Sequence, residues 1–312
     1  MKKIKGEITT QQIVLLIILL VSFIIILFLL FRLDLFGQSD SELCHNSIIG
    51  RGNPISKEVV PLQCSRAYIC ITKDGDCVGM TKPDIEKVKT KEEIYSVLAE
   101  QMANCWWMFG EGRVDYVADS TLIKNNYCSL CSQILFDDSL KDIEGIEGET
   151  ISKDEFYNYL SKTKKPGEDF TYSYYLFGTN DITRLKNQLS SQAGTEVSFG
   201  TIDIGKQYFV VTGITSGVNT IGWMVRGAAI GAVAAVTVFS GSFAVVATGV
   251  ALGATAGGVG ADKISDLFAP KIGAITIEGK EGVKNQFMVP TIQEASSEEF
   301  ESLTCDEILT ST

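Results

Sequence analysis

The chain has 312 residues, 27 Lys+Arg against 38 Asp+Glu, a net charge of −11, one histidine, eight cysteines and 45% hydrophobic residues. The acidic balance excludes a nucleic-acid binder, which needs clustered positive charge, and the apolar content excludes a disordered chain. The lone histidine, His45, excludes most metallohydrolases and confines any His-based triad to one position.

The first informative stretch is Ile13 to Phe31, 19 residues with no charge and one serine. A helix of that length measures about 28 Å, near the hydrocarbon thickness of a bilayer. Lys2, Lys3 and Lys5 precede it, while Arg32 and Asp34 follow. The positive excess predicts a transmembrane signal anchor at the cell membrane, with a cytoplasmic N-terminus and an exported, extracytoplasmic main domain.

Lys5-Gly6-Glu7-Ile8-Thr9-Thr10-Gln11 resembles the processing site of archaeal type IV prepilin-like (class III signal) proteins, in which a peptidase cuts after a glycine that follows a basic residue. The resemblance covers about the first 31 residues and implies a cut between Gly6 and Glu7. Gln11 stands where that family usually carries a glutamate. The wider chain is similar to uncharacterised archaeal exported membrane proteins, a likeness that implies no particular activity.

Beyond the anchor the pattern mixes helix and strand. Ser41 to Ile49 predicts a short helix ended by Gly50; Val59-Val60, Tyr68–Thr72 and Ile85–Lys89 predict strands. Thr90-Lys91-Glu92-Glu93 is a capping box opening a helix to Phe109, with Ile94, Leu98, Met102, Cys105 and Phe109 on its buried face. Ser132–Phe136 is strand-like. Ser152-Lys153-Asp154-Glu155 opens a further helix that ends before Pro166-Gly167. Phe199–Asp203 and Gln207–Thr212 alternate around Ile204-Gly205 as a hairpin would.

Gly227 to Ala261 is 35 residues without a charge, with 8 Gly and 11 Ala. Gly227-x3-Gly231 and Gly249-x3-Gly253-x3-Gly257 place small residues on one helical face, and Ser240-Gly241-Ser242 signals a turn. The expectation is an apolar helical hairpin in contact with the membrane. Ala274–Ile277 and Phe287–Val289 then predict a strand pair, and Ser297 to Leu303 a last, acidic helix.

Cys44, Cys64, Cys70, Cys77, Cys105, Cys128, Cys131 and Cys305 all fall outside the apolar segments, and an even set suits disulfides in an oxidising compartment. The Asp74-Gly75 turn makes a Cys70–Cys77 bridge across a local hairpin plausible chemistry. Cys128-Ser129-Leu130-Cys131 has redox spacing but precedes a strand, where no helix dipole lowers a thiol pKa. Trp106-Trp107-Met108-Phe109 reads as core or as a ligand platform, and Tyr172, Tyr174, Tyr175 and Phe177 as a loop docked on the core or a site for a glycan or partner. Asp137, Asp138, Asp142, Glu144, Glu147 and Glu149 form an acidic loop with oxygens suited to calcium but without EF-hand spacing. No phosphate loop, Rossmann fingerprint or G-x-S-x-G occurs, so no cofactor, metal or catalytic residue is expected.

The expected architecture is α+β in four regions. Residues 1–37 form the anchor, 38–220 a cysteine-rich mixed α/β domain, 221–269 the Gly/Ala-rich hairpin, and 270–312 a strand pair with an acidic helix packing back on the domain. The function expected is that of a membrane-anchored cell-envelope or surface protein acting by binding or assembly, with the lipid bilayer and an envelope protein as partners. The alternatives are an envelope thiol-disulfide oxidoreductase using Cys128 and Cys131, or a type IV pilin-like surface subunit.

Overall fold

The structure is a computed structural model. It describes residues 10–32, 39–75, 77–117, 126–146, 149–193, 196, 198–215, 236–238, 245–246, 275–278, 280, 283, 285–301, 303 and 305–311. Helix α1 covers Thr10–Arg32. Its continuous run of described side chains, Ile13 to Ile26, is exposed throughout, each large apolar residue by 47% or more. Among the described residues no helix is long and apolar enough to cross a membrane, which corrects the expected N-terminal transmembrane helix.

The rest is built on one mixed sheet. In chain order the strands are β1 (Ala67–Thr72), β2 (Asp84–Lys87), β3 (Asn126–Phe136), β4 (Thr150–Ser152), β5 (Thr201–Asp203), β6 (Gln207–Thr215), β7 (Val236–Val238), β8 (Val245–Val246), β9 (Ile275–Glu278), β10 (Gln286–Glu294) and β11 (Glu307–Ile308). The large sheet runs β2-β1-β3-β6-β10-β9-β7-β8, with β11 beside β3. The β1, β2 and β11 pairings are parallel, whereas β3, β6, β10 and β9 alternate antiparallel. The two partners on one side of β3 divide its length: β1 pairs with Ser132–Phe136 and β11 with Tyr127 and Cys128.

Two irregularities face β6, the first opposite Val210 and Val211 and the second opposite Val211 to Gly213. One lies between Leu130 and Ser132 of β3, the other between Met288 and Thr291 of β10. Pro290, which has no N–H for a ladder, sits in the second, where a missing donor is tolerated. In β3 the bulge reverses the alternation. Tyr127 before it and Cys131 at it join the main core, as do Ile134 and Phe136 after it.

The remaining helices are α2 (Asp40–Gly50), α3 (Lys91–Met108), α4 (Lys153–Lys162), α5 (Tyr172–Phe177), α6 (Ile182–Ala193) and α7 (Glu298–Glu301). Ser39, Thr90, Ser152 and Thr171 cap α2, α3, α4 and α5 by accepting from the backbone N–H three residues on. Helices α3, α4 and α5 cover one sheet face, burying Trp106, Phe109, Phe136, Phe156, Tyr208 and Phe287. The other face carries a smaller cluster of Cys128, Leu130, Val211, Met288 and Leu303, against which Phe300 packs.

Several local expectations are corrected. Val59-Val60 lies in a turn, because successive i→i+3 bonds such as Val59 N–H to Ser56 C=O coil the segment. Phe199–Asp203 does not pair with Gln207–Thr212; β5 pairs instead with β4, and its Ile202 is fully buried there. The Tyr172–Phe177 run is a helix closed by left-handed Gly178 (φ +71), not a loop. Within Gly227–Ala261 the described residues, Val236–Val238 and Val245–Val246, are strands β7 and β8 paired antiparallel, so at these five positions the chain is strand and not the expected helix; Ser240–Ser242 and the rest of the segment lie outside the described residues. Val236, Val238, Val245 and Val246 are β-branched residues that favour this ladder. Gly227, Gly231, Gly249, Gly253 and Gly257 lie outside the described residues, as do Gly6 and Glu7.

Candidate functional site

The cysteines form four disulfides: Cys44–Cys64, Cys70–Cys77, Cys105–Cys131 and Cys128–Cys305. Cys128 and Cys131 stand three apart on a strand, so they point to opposite sheet faces. Each is bonded to a distant partner, which is not the arrangement of a C-x-x-C dithiol. Cys70–Cys77 closes β1 onto a loop rather than across two hairpin strands, since β1 pairs with β2 in parallel.

His45 follows Cys44 on α2, but the Cys44 sulfur is committed to Cys64. The imidazole instead stacks on Trp107 at 4.0 Å between centroids and 6° between planes. Its Nδ1 lies 2.7 Å from the Trp107 carbonyl oxygen. A carbonyl only accepts, so that bond assigns the proton to Nδ1. His45 therefore fixes the position of the indole.

Trp107 borders a groove of about 370 Å³. Glu100, Gln101, Ala103 and Asn104 line it from α3 together with Trp107. The spacing 100, 103, 104, 107 stacks these side chains on one helical face. Lys165 and Pro166 form the opposite wall, and Tyr172 from α5 closes the end. That wall is held by its own hydrogen bonds: Lys165 N–H to Phe170 C=O at 3.0 Å and Tyr172 N–H to Thr163 C=O at 3.1 Å.

The polar groups are positioned by neighbours. Asn104 Nδ2 donates to Ser41 Oγ at 3.1 Å, and Tyr172 Oη approaches Glu100 Oε2 at 3.5 Å. Burial pushes the Tyr172 hydroxyl well above the ordinary phenol range, and the Glu100 charge pushes it further, so it stays a neutral donor. The Lys165 ammonium sits 5.0 Å above the Tyr175 ring and 4.0 Å from Glu168. A smaller cavity, about 40 Å³, continues past Gln101 and Asn104 towards Ser65 and Cys131.

The two tryptophans of the cluster divide. Trp106 is fully buried against Phe287, while Trp107 is only partly buried. Glu100, Gln101, Asn104 and Lys165 were not singled out from sequence; the signal was the polar repeat 100, 101, 104 ahead of Trp107, on the side of α3 opposite its apolar face.

Asp137, Asp138 and Glu149 of the acidic loop serve local structure. Asp137 caps a 3-10 turn, accepting from Ser139 N–H at 3.0 Å and Thr72 Oγ1 at 3.2 Å. Asp138 and Glu149 both pair with Lys141. Among the described residues no group of three or more His, Cys, Asp or Glu is placed to hold a metal ion. Neither a family model, nor a curated protein, nor a solved structure matches the chain.

Proposed function

We propose that this is a cell-envelope or surface protein that works by binding or assembly, with the Trp107 groove as its ligand surface. The observation that carries the reading is the groove itself. Its volume falls in the range of ligand sites, and its rings and polar groups are held by neighbouring side chains. Its lining offers a carboxylate, two amides, a phenol hydroxyl and an ammonium.

The cysteines support this compartment. Four disulfides, with seven of the eight cysteines buried, suit folding in an oxidising envelope space.

Fractionation of cells expressing the full chain tests this. The protein should follow the envelope fraction and show four closed disulfides by non-reducing peptide mapping. Recovery in the cytosol with free thiols would sink the proposal.

A further inference from the structure

We infer that the Trp107 groove takes a saccharide chain, one sugar ring lying against the indole with its hydroxyls met by Glu100, Gln101 and Asn104. This rests on the proposed reading of the groove as a binding surface and names what it binds. A pyranose ring has faces of C–H groups and a rim of hydroxyls. It therefore asks for a flat π surface with acceptors and donors around the edge.

The groove supplies that pair of features. His45 holds the indole in one orientation from one side, so a ligand meets a preorganised ring. Around it stand a carboxylate and two carboxamides, groups that can each meet sugar hydroxyls, and a carboxylate acceptor makes the stronger, charge-assisted bond. The Asn104 amide is oriented by Ser41, which leaves its carbonyl oxygen as an acceptor.

Other ligand classes fit less well. A phosphorylated ligand wants several cations, yet the single ammonium of the lining, Lys165, is already paired with Glu168 and shares the groove with Glu100. A peptide added as a strand needs a sheet edge, but the walls are α3, a loop and α5. An amphipathic helix needs an apolar trough, whereas polar side chains make up much of this lining.

The test is calorimetric titration of the full, oxidised chain in detergent. The probes are a hexamer of N-acetylglucosamine, a hexamer of mannose and a proline-rich decapeptide, each to about 10 mM, a concentration that reaches millimolar affinities. At least one hexasaccharide should bind. Trp107→Ala should weaken that binding about tenfold or more, and Trp107→Phe should recover most of it. Gln101→Ala, a smaller change on the helix surface, should weaken it several-fold. Near-UV circular dichroism and a disulfide map keep a misfolded variant from being read as a result. Failure of both saccharides, or saccharide binding undiminished in Trp107→Ala and Gln101→Ala, overturns the inference. Decapeptide binding that is lost in Trp107→Ala, with both saccharides inert, also overturns it while leaving the groove a binding surface. The fractionation experiment stands or fails separately.

Discussion

Asp137 shows how one side chain joins three segments. Its carboxylate caps the 3-10 turn Asp138–Asp142 and accepts from Thr72 at the end of β1, while Thr72 Oγ1 in turn accepts from Gly75 N–H at 2.8 Å. Burial would raise its pKa, but the bonds from Ser139 and Thr72 outweigh that and hold it below the ordinary carboxylate value. A depressed folded-state pKa means stability present above the unfolded value of 3.8 and lost as pH falls through the folded value. Asp137→Ala should therefore cost about 1 kcal/mol at neutral pH. Urea titrations at several pH values should show the gap between variant and parent closing in acid; a gap independent of pH would show that the charge plays no part. Gly112 is the second sensitive position. Its φ is +75°, and an added Cβ would sit 3.3 Å from the Trp106 ring. Gly112→Ala should destabilise by about 1–3 kcal/mol, read as a lowered urea midpoint, because the strained φ and the overpacking act together.

At the scale of elements, the C-terminal segment is held by means other than a hydrophobic run. β11 has only two residues, both exposed, yet it lies parallel beside β3. Cys128–Cys305 fastens it across a separation of 177 residues, and Asp306 accepts from Asn126 N–H at 2.8 Å. Closing so long a loop restricts the unfolded chain far more than Cys70–Cys77, with a separation of 7. Cys128→Ala/Cys305→Ala should cost about 2–5 kcal/mol. It should also raise hydrogen exchange at Asn126 and Leu130, whose N–H groups bond to Asp306 and Thr310. Cys70→Ala/Cys77→Ala should cost less and leave those amides protected. Equal costs would mean that the long bridge does not act through chain entropy.

Across the whole molecule, sulfur burial sets the order in which the bridges can open. Seven cysteines are buried in the core, whereas Cys305 is only partly buried at the margin of the smaller cluster. An incoming thiolate must reach a sulfur to exchange with it. A mild reductant under native conditions should open Cys128–Cys305 first, with the other three bridges following only on unfolding. Timed alkylation and peptide mapping would show the sequence; simultaneous opening would mean that global unfolding governs all four.

The amino-acid sequence by itself determined whatever depends on neighbours along the chain. The caps at Thr90 and Ser152 and the amphipathic face of α3 were legible because a helix is specified within a few residues. So was the pairing of β9 with β10, whose strands are separated by seven residues. The partners of β5 were not legible, since alternation marks a strand but not its neighbour, and β4 lies about fifty residues upstream. Nor was the conformation of the described part of Gly227–Ala261: small residues at helical spacing suit a helix, but Val236–Val238 found a parallel partner in β9 that no local pattern announces. The groove belongs to the same class. Trp107 was visible as an aromatic, and its placement with His45 from α2, Lys165 from a loop and Tyr172 from α5 came only from tertiary packing, which joins side chains the sequence keeps more than fifty positions apart.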